Sequence, residues 1–156
     1  MSGLGQTLGL AVRGLIQRVS QAAVVVDGET VGAIDRGILL LLGIEAGDGT
    51  MQARKLVNKV LNYRIFPDAK GRMNASVRDI SGGVLVVSQF TLIADTKKGL
   101  RPSFTPAARP DEAEKLYRFF LAEISASHGV VASGMFGADM QVSLTNDGPV
   151  TFLLEV

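Results

Sequence analysis

The strongest constraint on this chain is the rhythm with which turn residues cut its apolar runs before position 45. Leu15-Ile16-Gln17-Arg18-Val19 leads into Ala22-Ala23-Val24-Val25-Val26, and Asp27-Gly28 follows at once. Asp-Gly between apolar runs is a strong hairpin signal, because the tight turn needs positive φ at its centre. Thr30 to Ile34 then returns, Asp35-Arg36-Gly37 turns again, and Ile38 to Ile44 is one continuous apolar run. That run is too short for a typical helix and reads as a strand buried on both faces. Strands joined by such short turns pair with their neighbours, so an antiparallel meander or barrel is expected.

Two later segments have helical period instead. From Thr50 to Tyr63, Ala53, Leu56, Val57, Val60 and Leu61 fall on a single stripe, with Arg54, Lys55, Asn58 and Lys59 off it. Those polar residues are either a solvated face or a surface turned to RNA. From Asp111 to Ser125 the stripe is Ala113, Leu116, Tyr117, Phe120 and Ile124, and Asp111 with Glu114 reads as an acidic capping box. Further strands are predicted over Val84 to Ile93, Met140 to Leu144 and Val150 to Val156. Pro67 to Gly71 is read as a loop, and Asp95 to Arg109 as a long polar connection. The expected fold class is α+β: antiparallel strands forming a barrel-like core with two inserted amphipathic helices. Residues 12–156 are expected to form a single domain. Residues 1–11 contain three glycines and no charge, and read as a disordered extension or a misassigned start.

Composition narrows the chemistry. With 156 residues and 47% apolar content, the chain can bury a substantial core. A net charge of +1 argues against coating a long nucleic acid, though not against gripping one RNA end. No cysteine is present, which removes thiolate catalysis and cysteine-based zinc sites. The single histidine, His128, leaves few ways to build a metal site. No metal or cofactor is expected. No apolar run reaches the ~18 residues of a membrane span, so no membrane partner and a cytoplasmic location are expected.

Two stretches do not fit plain strand patterning. In Gly83-Val84-Leu85-Val86-Val87-Ser88-Gln89-Phe90-Thr91-Leu92-Ile93, three polar side chains sit inside a run that otherwise reads as buried. Buried polar groups are costly unless hydrogen-bonded, so neighbours satisfy them or the strand ends at a ligand site. Activating Ser88 or Thr91 as a nucleophile would need a base. His128 is followed by Gly129 and reads as a helix-end residue, and no G-x-S-x-G elbow is present. An esterase built on this chain would rely on backbone donors or on its substrate. The second stretch is Asn146-Asp147-Gly148-Pro149, which interrupts the apolar C-terminal segment. It is either a hairpin turn or a backbone device aimed at a ligand.

Ser88-Gln89-Phe90-Thr91-Leu92 and Asn146-Asp147-Gly148-Pro149-Val150-Thr151 resemble the two signature motifs of the D-aminoacyl-tRNA deacylase family. The resemblance extends through Ile16 to Val19, Tyr63 to Phe66, Arg101 to Phe104 and Ala138 to Leu144, so it covers nearly everything from Val12 to Val156. In that family a methionine usually stands near Val12, which makes a GUG start an attractive reading. The resemblance implies hydrolysis of the ester of D-aminoacyl-tRNA, and of glycyl-tRNA, at the aminoacylated 3′ end. It implies a homodimer in which a cis Gly148–Pro149 loop reaches the partner's site and rejects L substrates. Asn146, Val150 and Thr151 belong to that substrate-binding segment, and Arg18 is expected to support it. Ser88, Gln89, Phe90 and Thr91 are the implied catalytic residues. The Gln89 and Phe90 N–H groups would face the oxyanion, while Ser88 and Thr91 would orient groups around a water activated by the ribose 2′-OH. Phe136 and Met140 would wall the pocket. Lys97, Lys98 and Arg101 either contact phosphates or form a solvated loop. Met135 stands where the family often has a basic residue. The competing reading is a non-catalytic module that holds an RNA 3′ end on the same fold; a general small-ester hydrolase is disfavoured by the missing triad.

Overall fold

A computed structural model describes residues 12–47 and 49–156. The expectations for residues 1–11 lie outside the described residues. Strand β1 is Val12–Val26, β2 is Glu29–Ile34 and β3 is Gly37–Ile44. Helix α1 covers Thr50–Asn62. A small hairpin of β4 (Phe66–Pro67) and β5 (Met73–Ala75) flanks the segment read as a loop, which forms its turn. Then come β6 (Gly83–Ser88), a single 3₁₀ turn over Phe90–Ile93, α2 (Pro110–Ser127), β7 (Val131–Ser133) and β8 (Gln141–Glu155).

The long strand β1 organises the sheet. Along one edge it pairs with β8 over nearly its whole length. Its other edge is shared by β3, opposite Val12 to Val19, and β2, opposite Ala22 to Val26. The order β2-β1-β3-β6-β7 then brings β7 round towards β2. The two meet closely enough that a Cβ on Gly32 would lie 2.4 Å from the Ser133 carbonyl oxygen. Any larger residue there would hold the sheet open, so the glycine lets the barrel nearly close.

The α+β, barrel-like architecture matches the expectation, but strand direction does not throughout. Pairs β3–β6 and β6–β7 are parallel. The reason is the inserted helices. A parallel neighbour needs a long crossover, and the segments carrying α1 and α2 supply one each. The short turns of residues 27–37 could produce only the antiparallel part.

Strand β3 is buried on both faces, as its unbroken apolar run predicts. Ile38, Leu40 and Leu42 join the main core with Leu56, Val60, Leu61 and Phe120 from the helices. Leu39 points the other way, into a smaller cluster with Val19, Val24, Leu85 and Val87. Leu40 and Leu56 are fully buried, and truncating either to alanine would cost about 2–5 kcal/mol. Helix α2 begins earlier than its sequence suggests. Arg109 is the N-cap and Pro110 opens the first turn, so Asp111 lies inside the helix and makes no cap. Glu114 instead pairs with Arg118 one turn on, at 2.7 Å.

Candidate active site

Strand β6 stops at Ser88, and not at Ile93 as strict alternation predicts. The backbone leaves the ladder after the Gln89 N–H bonds the Leu42 carbonyl at 2.8 Å. It then coils into the 3₁₀ turn, burying Ile93 and exposing Phe90 and Thr91. The polar residues inside this apolar run are therefore not a buried strand face. They mark the end of β6 and the mouth of a cavity of about 480 Å³. Ser88, Gln89 and Phe90 form one wall. Phe136 and Met140 form another, with Leu42, Ala108, Pro110 and Ala113 around the rest.

The opposite wall is held from behind. Phe136 packs against Tyr117 with ring centroids 5.5 Å apart, and the Tyr117 hydroxyl donates to the Val86 carbonyl at 3.3 Å. Burial pushes the Tyr117 phenol above its ordinary pKa, so it stays a neutral donor. Met140 accepts a hydrogen bond from the Met135 N–H at 3.4 Å, which folds residues 135–140 over the cavity. Sequence reasoning missed Tyr117 as a support, because its helical position reads only as core. It also missed Asp139, the one ionisable side chain among the cavity's lining residues.

Among the described residues no histidine or carboxylate is hydrogen-bonded to Ser88 or Thr91. His128 caps the end of α2 and donates from Nε2 to the Gly82 carbonyl at 2.6 Å. Gly82 precedes β6, while Ser88 ends it, a separation of roughly 20 Å along an extended strand. The Thr91 hydroxyl accepts a hydrogen bond from the Gln89 side-chain amide. The Gln89 N–H, expected to face an oxyanion, is spent on Leu42. A ladder bond that ends the strand correctly takes that donor away. Among the described residues no carbonyl pairs with the Phe90 N–H, which remains the open donor of the pair.

The interruption at Asn146 to Pro149 is not a hairpin turn. Strand β8 runs straight through it, antiparallel to β1 on both sides. Gln17 stands opposite Thr151 and Val19 opposite Asn146, so residues 147–150 bulge outwards against Arg18 alone. Gly148 and Pro149 are exposed at the crest and joined by a cis peptide bond. Asn146 closes the base of the bulge with both ends of its amide. Its oxygen accepts from the Val150 N–H at 2.9 Å, and its nitrogen donates to the Thr151 hydroxyl at 2.9 Å. Arg18 braces the other side, donating from Nε to the Asp147 carbonyl at 3.0 Å and from Nη1 to the Ile65 carbonyl at 2.7 Å. Gly148 has φ +137°, and a Cβ there would lie 2.7 Å from Val150 Cγ2. Both conditions require glycine.

The structure thus gathers the site residues into two places. Ser88, Gln89, Phe90, Phe136 and Met140 line one cavity, with Thr91 just beyond its wall. Arg18, Asn146, Gly148, Pro149, Val150 and Thr151 form the braced bulge, and none of them lines the cavity. Register gives the separation. The bulge lies level with Ile38, Ser88 lies level with Leu42, and two strands intervene between β8 and β6. At ~3.3 Å per residue and ~4.8 Å per strand, the two are roughly 20 Å apart in one chain.

The model of a family described as D-Tyr-tRNA(Tyr) deacylase matches residues 15–155. A D-aminoacyl-tRNA deacylase of Cellvibrio japonicus (strain Ueda107) is 59% identical over 143 residues, covering 92% of this chain and 98% of the relative. One from Pseudomonas fluorescens (strain Pf0-1) is 58% identical over 144 residues, covering 92% and 99%. A solved structure titled c-Myc DNA Unwinding Element Binding Protein superposes with a TM-score of 0.89 at 41% identity, covering 92% of this chain and 98% of that one. Another, titled as a probable eukaryotic D-amino acid tRNA deacylase, has a TM-score of 0.83 at 19% identity, covering 94% and 100%, and is similar in fold.

Proposed function

The chain belongs to the D-Tyr-tRNA(Tyr) deacylase family, and from that premise we propose that it hydrolyses the ester of D-aminoacyl-tRNA. Water attacks the ester carbonyl carbon, the bond to the terminal ribose oxygen breaks, and that oxygen leaves as a hydroxyl. Free D-amino acid and tRNA are released. The observation that carries the reading is a cavity with Ser88, Gln89 and Phe90 at its mouth and, among the described residues, no histidine bonded to Ser88 or Thr91. Such a mouth suits an ester whose own 2′-OH helps activate water. The open Phe90 N–H is suited to the developing oxyanion. Ser88 and the Gln89–Thr91 pair orient the ester and its ribose. Phe136 and Met140 hold the apolar part of the substrate.

Chirality is the task of the bulge. Gly148 and Pro149 offer backbone with no projecting side chain at Gly148, so an L side chain would collide where a D side chain clears. Glycyl-tRNA, with nothing to reject, is a substrate on the same ground. In one chain, however, the bulge is roughly 20 Å from the cavity, several times the width of an ester. A single substrate meets both only if a second copy supplies the bulge. This supports a homodimer with each Gly148–Pro149 reaching the partner's cavity. Among the described residues no helix is long and apolar enough to cross a membrane. A cytoplasmic location is proposed from the tRNA substrate. The single domain is taken to comprise residues 12–156.

Matched D-tyrosyl-tRNA and L-tyrosyl-tRNA provide the test. Release of free amino acid from the D ester alone is the expected result. Equal hydrolysis of both would sink the chiral role of the bulge. The second reading is a module that binds a nucleic-acid 3′ end without turnover. Its favouring observation is the structural relative titled for binding a DNA element. Tight binding with no release from either ester would establish it.

A further inference from the structure

Beyond the cavity mouth the surface changes character. Phe90 is 63% exposed and Phe104 42% exposed, and their rings tilt together with centroids 5.2 Å apart. A lone exposed phenylalanine needs no explanation. Two in contact on a cavity rim form a π-faced patch that water does not favour. Phe104 comes from the long segment after the 3₁₀ turn. That segment is pinned where Asp95 and Ser103 exchange backbone hydrogen bonds of 2.8 and 2.9 Å. The turn between them carries Lys97, Lys98 and Arg101, all exposed. Among the described residues no carboxylate lies within 4.0 Å of any of these cations to form an ion pair.

Resting on the reading that the cavity takes the terminal adenosine ester, we propose that Phe90 and Phe104 are a stacking platform for the nucleotide preceding it. The three cations are placed for the phosphates that follow along the strand. An aromatic face beside unpaired cations is the chemistry that grips single-stranded nucleic acid, since every base has a π face and every nucleotide a charge. The interior of a duplex is not the occupant, because its bases are already stacked on their neighbours on both faces. The occupant is the unpaired acceptor end of the tRNA. This surface makes the enzyme read more than a terminal nucleoside.

Phe104 is the residue to test, since it takes no part in the cavity. Phe104→Ala should lower kcat/KM on D-tyrosyl-tRNA about 10-fold, the usual effect of losing one base stack. It should leave kcat/KM on the D-tyrosyl ester of adenosine unchanged. Phe104→Tyr should restore the tRNA rate. A fluorescent cytidine analogue at the penultimate position of uncharged tRNA should be quenched by the wild type and by Phe104→Tyr, but not by Phe104→Ala. Equal quenching by Phe104→Ala, or an equal loss on both esters, would overturn the platform. Dissociation of a dimer in Phe104→Ala would assign the rings to a contact between copies and would also overturn it. Phe104-dependent quenching without any deacylation would uphold the platform while removing the hydrolase reading.

Discussion

The two motif regions break strand regularity in opposite ways. At Ser88 the strand ends, and the chain turns in to leave a mostly apolar hole with Ser88 and Gln89 at its mouth. At Asp147 the strand continues, and its surplus residues are pushed out to make a protrusion. The hole is held by packing, with Tyr117 behind Phe136. The protrusion is anchored in the core only at Val150, and its exposed crest is held by hydrogen bonds from Asn146 and Arg18. A hole and a protrusion too far apart to meet in one molecule are the basis of the dimer proposed above. The comparison also separates their tolerance. Side chains at the hole can change if the backbone path survives, whereas the protrusion depends on each brace.

Gly148→Ala should break this comparison most. Positive φ and contact with Val150 both disfavour the added methyl, so the crest must shift. A displacement of about 1 Å at a positioning element costs on the order of 10²-fold in rate. Single-turnover hydrolysis of D-tyrosyl-tRNA should fall by that much, with the melting temperature little changed. A rate near wild type would show that the crest does not touch the substrate. Next comes Arg18→Lys, which can keep one of the two carbonyl contacts but not the fork. About 10-fold lower activity and a small fall in melting temperature are expected. An unchanged rate would leave Asn146 as the sufficient brace.

Thr91→Ala sharpens the other half. With its hydroxyl already accepting from Gln89 and no histidine or carboxylate bonded to it among the described residues, less than about 10-fold loss is expected. A loss of about 10⁴-fold with binding intact would restore a threonine nucleophile. The smallest effect concerns Glu45, which follows the cavity residue Ile44. Its carboxylate is buried and paired with Arg13 at 2.9 Å, and Arg13 also meets Glu155 at 3.1 Å. Burial raises the Glu45 pKa, Arg13 opposes that, and Glu155 adds to it. The folded chain therefore holds this proton more tightly than the unfolded one. The associated stability is full below the ordinary carboxyl value and is lost as pH rises through the folded value. A neutral glutamine escapes that loss, so the melting temperature of Glu45→Gln relative to wild type should be higher at pH 7 than at pH 4. The reverse trend would mean that the Arg13 attraction outweighs burial.

Much of the fold was legible because it rests on local pattern. Asp27-Gly28 sets a hairpin, the unbroken apolar run of β3 sets burial on both faces, and stripes such as Leu56-Val60 set the helices. Parallel pairing of β6 was not legible, since it depends on where a crossover lands. Nor was the end of β6, because the alternation continues past Ser88 while the ladder does not. The capping box at Asp111 failed because Pro110 starts the helix one residue earlier and leaves Asp111 within the first turn. The residues of both motifs were visible as polar breaks in apolar runs, but whether a break is a hole, a turn or a bulge is a property of its neighbours.

By itself the sequence determined the first three strands and the two helices, the absence of a thiol and of a spare histidine, and the two motifs that tie the chain to its family. These follow from residue type and from periods of a few residues, which act at short range. Tertiary structure alone decided that Asn146 and Arg18 brace a bulge within one continuous strand, that Leu42 consumes the Gln89 N–H, and that the motifs lie roughly 20 Å apart. Each of those depends on a partner distant in sequence, and hydrogen bonds and close packing select such partners only when the barrel has brought their strands side by side.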